Sequence, residues 1–167
     1  MKNGESYISS VVQGIESFWL GVLSISAATL DRVTAMCRRF LSGGNSARVA
    51  WHTMCLSKQE GGLGLRDTQR WNDALLSKAI WNIHAKKDTL WCKWIHQFYI
   101  KNGSIWDIHV KDFPLLIQQL FKIRDALVEK EGSIVEATNR VDSWVVDDTL
   151  NTSLAYDYFK GAAAYQI

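Results

Sequence analysis

The chain has 167 residues, 47% of them apolar by type, with eight tryptophans and a formal net charge of +2; that is enough apolar material for a packed core and sets aside disorder throughout. No stretch approaches the roughly 20 uninterrupted apolar residues that a membrane helix needs, and Met1-Lys2-Asn3-Gly4-Glu5 lacks the apolar centre of a secretory signal. The expectation is an intracellular protein, of nucleus or cytoplasm, with no membrane partner and with Cys37, Cys55 and Cys92 as reduced thiols.

Helical signals follow one another along the chain. An apolar run from Ser17 to Leu23 is expected to end a first helix. A second opens near Thr29 or Asp31 and carries Leu30, Val33, Met36, Cys37, Phe40 and Leu41 at the spacing of one buried face, until Gly43-Gly44-Asn45 stops it. The mixed stretch Arg48 to Leu56 includes Val49-Ala50-Trp51, read as extended. Glu60 to Leu65 reads as a tight loop. Asp67 or Thr68 then opens a long helix through His84, with Trp71, Leu75, Ala79, Ile80 and Ile83 facing inward. Another helix follows from about Thr89, where Trp91, Trp94, Ile95 and Phe98 recur at three- and four-residue intervals and are assigned to the core.

After Asn102-Gly103-Ser104 the pattern resumes at Ile105-Trp106, and a helix from about Pro114 to Glu129 carries Leu116, Leu120, Ile123 and Leu127. The proline is tolerated in a first helical turn. Beyond Glu131-Gly132-Ser133 the texture changes to shorter pieces, Ile134-Val135, Val141 to Val146 and Ser153 to Lys160, so a boundary is placed there and residues 161–167 are expected to fray. The fold class expected is mainly α, a multi-helix bundle over residues 1–131 followed by a short irregular C-terminal extension over residues 132–167.

Charge is uneven along this chain. Residues 31–101 hold twelve Lys and Arg against five Asp and Glu, whereas residues 102–167 hold six against ten. A polyanion would meet the middle of the chain. Three patterns suggest chemistry and each has a plainer explanation. Asp147-Asp148 resembles the aspartate pair of a two-metal polymerase site, but such a site needs a further carboxylate from another strand, and a solvated turn suffices. His52 with Cys55 and Cys92 with His96 could make a Cys₂His₂ set, though the paired-cysteine spacings of zinc ribbons and fingers are missing. Gly61-Gly62-Leu63-Gly64 lacks the Gly-Lys-Ser/Thr ending of a phosphate loop and reads as a turn. No catalytic residue, metal ligand or cofactor is assigned.

An ordered set of motifs carries a resemblance. Cys37-Arg38-Arg39-Phe40-Leu41 with Gly43-Gly44, Val49-Ala50-Trp51, Cys55-Leu56, the run Lys58 to Asp67, the run Trp71 to Lys78, Trp81, Leu90-Trp91, Lys93-Trp94 and Ser104-Ile105-Trp106 are similar to the region after the catalytic palm in plant non-LTR (LINE-type) retrotransposon reverse transcriptases. The likeness runs in unbroken order over roughly residues 14–127. Leu154 to Phe159 resembles the opening of the zinc-binding reverse-transcriptase module that follows in those polyproteins. Ser42 stands where the family usually has tryptophan, and Ser26 and Ser57 where proline is typical, which removes one anchor and two rigid turns.

The resemblance implies a thumb-like helical region lying beside template and primer, without the palm that makes the parent family RNA-directed DNA polymerases. No enzyme activity is expected. Arg38, Arg39, Lys58, Arg66 and Arg70 are the residues expected to contact RNA or an RNA/DNA duplex through phosphates, without reading sequence. Stacking of bases on the tryptophans is disfavoured because those residues follow core periodicity. The alternative is a helical module that binds a protein partner or itself through aromatic surface once covered by the palm.

Overall fold

The structure, a computed structural model, describes Gly14 and residues 27–43, 49–108 and 114–163. The expected helix end at Ser17–Leu23 lies outside them, as do Ser26, Gly44-Asn45, Arg48 and residues 164–167. The fold is mainly α: seven α-helices and one two-stranded hairpin among the described residues. The chain forms two compact units, Met1–Asn72 and Asp73–Ile167.

In the first unit, helix α1 spans Ala27–Leu41 and helix α2 Trp51–Met54. Leu30 and Cys37 are buried and Val33 and Leu41 half-buried, a stripe at i, i+3, i+7 and i+11. Cys37 packs with Met54, Cys55 and Leu65. Met36 and Phe40, expected on the same face, are 62% and 56% exposed. Each precedes an inward position by one residue, which turns it by about 100° around the axis. The extended reading of Val49-Ala50-Trp51 also needs correction: Ala50 is extended, with ψ 148°, but it is the N-cap of α2, and Trp51 is already helical.

The loop after α2 is closed by its own groups. Ser57 accepts from the Glu60 backbone N–H while the Glu60 carboxylate accepts from the Ser57 N–H at 3.0 Å, a reciprocal capping box. Ser57, at a position where the resemblance leads one to expect proline, is thus part of a hydrogen-bonded turn. The amides of the glycine run are taken up by nearby carbonyls rather than left for a phosphate: Gly62 N–H donates to Ser57 O at 2.9 Å, Leu63 N–H to Met54 O at 2.9 Å and Gly64 N–H to Leu56 O at 2.8 Å. Gly62 cannot be another residue without rearrangement, because a Cβ there would lie 2.1 Å from Leu56 O. Asp67 Oδ1 accepts from the Arg70 N–H at 3.1 Å and so caps helix α3, Thr68–His84, as expected from sequence.

The second unit takes the rest of α3, helix α4 (Leu90–Ile95) with a π-helical turn His96–Ile100, helices α5 (Leu115–Glu131) and α6 (Ile134–Asp142), strands β1 (Val145–Val146) and β2 (Thr149–Leu150), and helix α7 (Thr152–Ala163). Ala74, Leu76, Ser77, Ile80, Trp81 and Ile83 are all buried, so α3 is covered on more than one face. The stripe expected after Thr89 is different from the observed one. Cys92, Ile95 and Ile100 are buried and Trp91 half-buried, while Trp94 and Phe98 are 41% and 59% exposed. Trp94 precedes the inward Ile95 by one residue on α4 itself, and the π-turn, closed by Lys101 N–H to His96 O, adds the residue that brings Ile100 inward and leaves Phe98 outside.

Pro114 is the N-cap of α5 rather than a first-turn residue, and Leu120 and Leu127 are buried as expected, together with Ile117. The Leu116 side chain lies outside the described set. Arg124, also on α5, is only 4% exposed. Its Nη1 donates to Ile105 O at 2.8 Å and Ile108 O at 2.7 Å, while its other edge meets the Asp125 carboxylate at 2.7 Å.

Beyond Gly132, at φ 87°, Ser133 accepts from the Glu136 N–H and opens α6. Ala137, Val141, Trp144, Leu150 and Ala155 join the core that holds Leu120 and Leu127. The hairpin pairs Val145 with Leu150 and Val146 with Thr149. Tyr158 of α7 closes this end: its hydroxyl donates to Glu131 Oε1 at 2.5 Å, Lys130 Nζ lies 3.7 Å from its ring centroid, and Trp144 packs at 5.1 Å. Burial first, and then the bond to the Glu131 carboxylate and its charge, push the Tyr158 hydroxyl well above the ordinary tyrosine range.

Candidate nucleic-acid interface

All five cations expected to contact phosphate fall in the first unit. Arg38 and Arg39 occupy the last turn of α1, where positive charge complements the helix dipole. Arg38 is half-buried and its Nη2 donates to Val49 O at 3.3 Å, linking α1 to the segment that leads into α2. Arg39 is exposed. Ser42 donates its hydroxyl to Arg38 O at 3.0 Å and Arg39 O at 3.1 Å, so this helix end is closed by a polar side chain. Lys58 is exposed at the start of a 3₁₀ turn, Lys58–Glu60.

Arg66 and Arg70 straddle the start of α3. The Arg66 guanidinium carbon lies 3.9 Å from the centroid of the Trp71 ring, a cation–π contact that orders a half-buried side chain. Arg70 is half-buried in the first turn of the helix. Arg39 and Lys58 are thus exposed, whereas Arg38, Arg66 and Arg70 are half-buried. Cations held on short, capped elements can bind a phosphate backbone as point charges and as planar forks, and such contacts carry affinity without base selectivity.

The aspartate pair and the Cys92–His96 pair have structural roles. Asp147 and Asp148 have φ of 49° and 56° and form the two central residues of the β1–β2 hairpin, as a type I′ turn requires. Both side chains are exposed, and Asp148 Oδ2 pairs with Lys87 Nζ at 2.5 Å. Cys92 is buried, and His96 Nε2 lies 2.8 Å from Ile83 O, so a backbone carbonyl occupies that nitrogen. Among the described residues no three His, Cys, Asp or Glu side chains gather to hold a metal ion, and no helix is long and apolar enough to cross a membrane.

Sequence reasoning missed an open depression of about 380 Å³ in the second unit, lined by Lys86, Lys87, Asp88, Cys92, Lys93 and His96. Lys93 pairs with Asp88, whose carboxyl is held below its ordinary range by the hydrogen bond to Lys93 and then by that residue's charge. The lysines were visible as a basic stretch, but the chain reversal that gathers them was not. Lys86, at φ 50°, ends α3 in a left-handed conformation, with Lys86 N–H donating to Ile83 O and Lys87 N–H to Asn82 O.

A mainly helical chain with basic residues on its helix ends defines only a broad class, and comparison with known proteins narrows it. The chain is 32% identical over 77 residues to a putative ribonuclease H protein of Arabidopsis thaliana, a match covering 43% of this chain and 12% of that protein. It is 29% identical over 107 residues to an uncharacterized mitochondrial protein of the same plant, covering 60% of this chain and 70% of the relative. No protein-family model and no solved structure matches. Together with the ordered motifs, these likenesses relate the chain to plant retroelement proteins at low identity.

Proposed function

We propose that this chain is a catalytically inactive fragment derived from a retrotransposon reverse transcriptase, which binds RNA or an RNA/DNA duplex through phosphates without reading sequence. Its parent segment, on this proposal, is the thumb-like region after the palm in LINE-type elements, with residues 132–167 corresponding to the start of the zinc-binding module. The observation that carries the proposal is that Arg38, Arg39, Lys58, Arg66 and Arg70 share one unit, on elements joined by the Cys37, Met54, Cys55 and Leu65 core. Cations on elements packed together keep their spacing, which a backbone with regular phosphate spacing rewards.

The test is a fluorescence-anisotropy titration of the whole chain against a short RNA/DNA duplex at several salt concentrations. Affinity is expected to fall steeply with salt, and alanine at all five positions is expected to flatten that dependence. An unchanged slope in the five-alanine variant refutes the assignment. A second reading, a protein-interaction or self-association module, is favoured by the exposure of Met36 and Phe40 on α1. Concentration-dependent sedimentation of the chain alone, abolished by M36S/F40S, is the outcome expected of that reading.

A further inference from the structure

Helix α4 and the π-turn that follows it carry an exposed aromatic surface. Leu90, Trp94 and Phe98 follow one another at i, i+4 and i+8 and are 89%, 41% and 59% exposed. Trp94 is held by its neighbours: its ring centroid lies 5.9 Å from that of Phe98 and 5.0 Å from that of the half-buried Tyr99. Two flat, partly ordered rings are therefore offered to solvent on one short element. Exposed indole and phenyl faces of this kind lose little freedom on binding a second flat group.

Charge decides what that group belongs to. Next to Trp94 in sequence is Lys93, which with Lys86 and Lys87 lines the depression described above. Residues 86–101 carry four lysines against the single Asp88, whereas residues 115–160 of the same unit carry eight Asp and Glu against five Lys and Arg. Lys93 and Asp88 form an exposed ion pair, whereas Lys87 is half-buried, with its Nζ also donating to Asp148 O at 2.9 Å. The exposed Lys93–Asp88 pair is weak enough for a phosphate to exchange with the carboxylate. A ligand that combines flat apolar groups with closely spaced negative charges is a nucleic acid whose bases are unpaired.

We propose that Trp94 and Phe98 form a stacking platform for the bases of single-stranded RNA or DNA, with Lys93, the sequence neighbour of Trp94, and Lys86 and Lys87 receiving the phosphates. The proposal rests on the nucleic-acid reading above and adds to it a second contact, in the other unit and with a different preference: unpaired strands rather than duplex. Bases buried in a double helix cannot reach the rings, so a platform discriminates by strandedness.

The experiment titrates the whole chain with a fluorescein-labelled 12-nucleotide oligouridylate and, in parallel, with a duplex of equal length. W94A/F98A is expected to weaken binding of the single strand by about tenfold or more, as loss of one or two base stacks does, and to leave duplex affinity within about twofold. W94Y/F98Y, which keeps the rings, is expected to retain most single-strand affinity. Both positions are exposed, so the variants should keep the wild-type circular dichroism spectrum. K86A/K87A/K93A is expected to lower the salt dependence of single-strand binding.

Single-strand affinity unchanged in W94A/F98A overturns the platform. So does a variant that alters sedimentation but not single-strand affinity, which would make this face a protein contact. Binding of duplex but not of oligouridylate by the wild-type chain removes the platform while the duplex reading stands; binding of neither removes both.

Discussion

Arg124 offers the sharpest test of how the second unit is held together. Its guanidinium is almost wholly buried, donates to Ile105 O and Ile108 O at 2.8 and 2.7 Å, and lies 4.5 Å from the Phe121 ring centroid. Arg124→Met keeps an unbranched apolar stem and deletes both donors. Two hydrogen bonds from a charged group are worth about 3–6 kcal/mol, and relief of the buried charge with the apolar replacement returns about 1–3 kcal/mol, so a net loss of roughly 2–3 kcal/mol is expected.

Urea unfolding of the full chain, followed by far-UV circular dichroism and tryptophan fluorescence, reads this as a midpoint lowered by about 1–2 M at a slope of about 2 kcal/mol per M. The control is Asp125→Ala. Its carboxylate is 65% exposed and meets the guanidinium edge that does not hold the carbonyls, so it should cost less than about 1 kcal/mol. If Arg124→Met costs no more than Asp125→Ala, the connection from α4 to α5 is not fastened by this side chain and the reasoning fails.

Other expectations concern single sites in each unit. Gly62→Ala should destabilise the first unit by about 2–4 kcal/mol, because the new Cβ meets Leu56 O and the backbone must shift; a thermal midpoint equal to wild type would contradict the loop geometry. Tyr158 binds its proton more tightly in the folded chain than in the unfolded one, whose value is 10.0, so its contribution is complete below that pH and is lost as pH rises beyond it. Stability measured from pH 8 to 11 should therefore fall less steeply above pH 10 in Tyr158→Phe than in wild type. Equal slopes would remove the role given to the Glu131 bond.

Much of the fold could be read from the chain because its signals are local. Asp67 caps α3, Gly43 at φ 67° follows the end of α1, and Leu120 and Leu127 are buried at the seven-residue spacing that indicated them. What escaped depends on events that single residues do not announce. A π-turn at His96–Ile100 shifts the inward position that follows it by one, and nothing in Phe98 alone distinguishes a core aromatic from a displaced one.

The C-terminal stretch looked mixed because α6 buries only Ala137 and Val141 and leaves Ile134 and Val135 exposed, so its apolar residues do not mark its inner face. For the five cations, sequence supplied the type and the order, and the structure supplies burial and partners.

The three thiols have a use beyond packing. Cys37 and Cys55 are buried in the first unit and Cys92 in the second. A thiol reacts with an alkylating reagent only when it is uncovered, so under native conditions the labelling rate at each site measures how often the surrounding structure opens. Mass spectrometry of timed iodoacetamide reactions would thus give each unit its own opening free energy from one sample without denaturant. Agreement among all three rates would mean that the units open together, and a fast pair beside a slow Cys92 would mean that the first unit breathes alone.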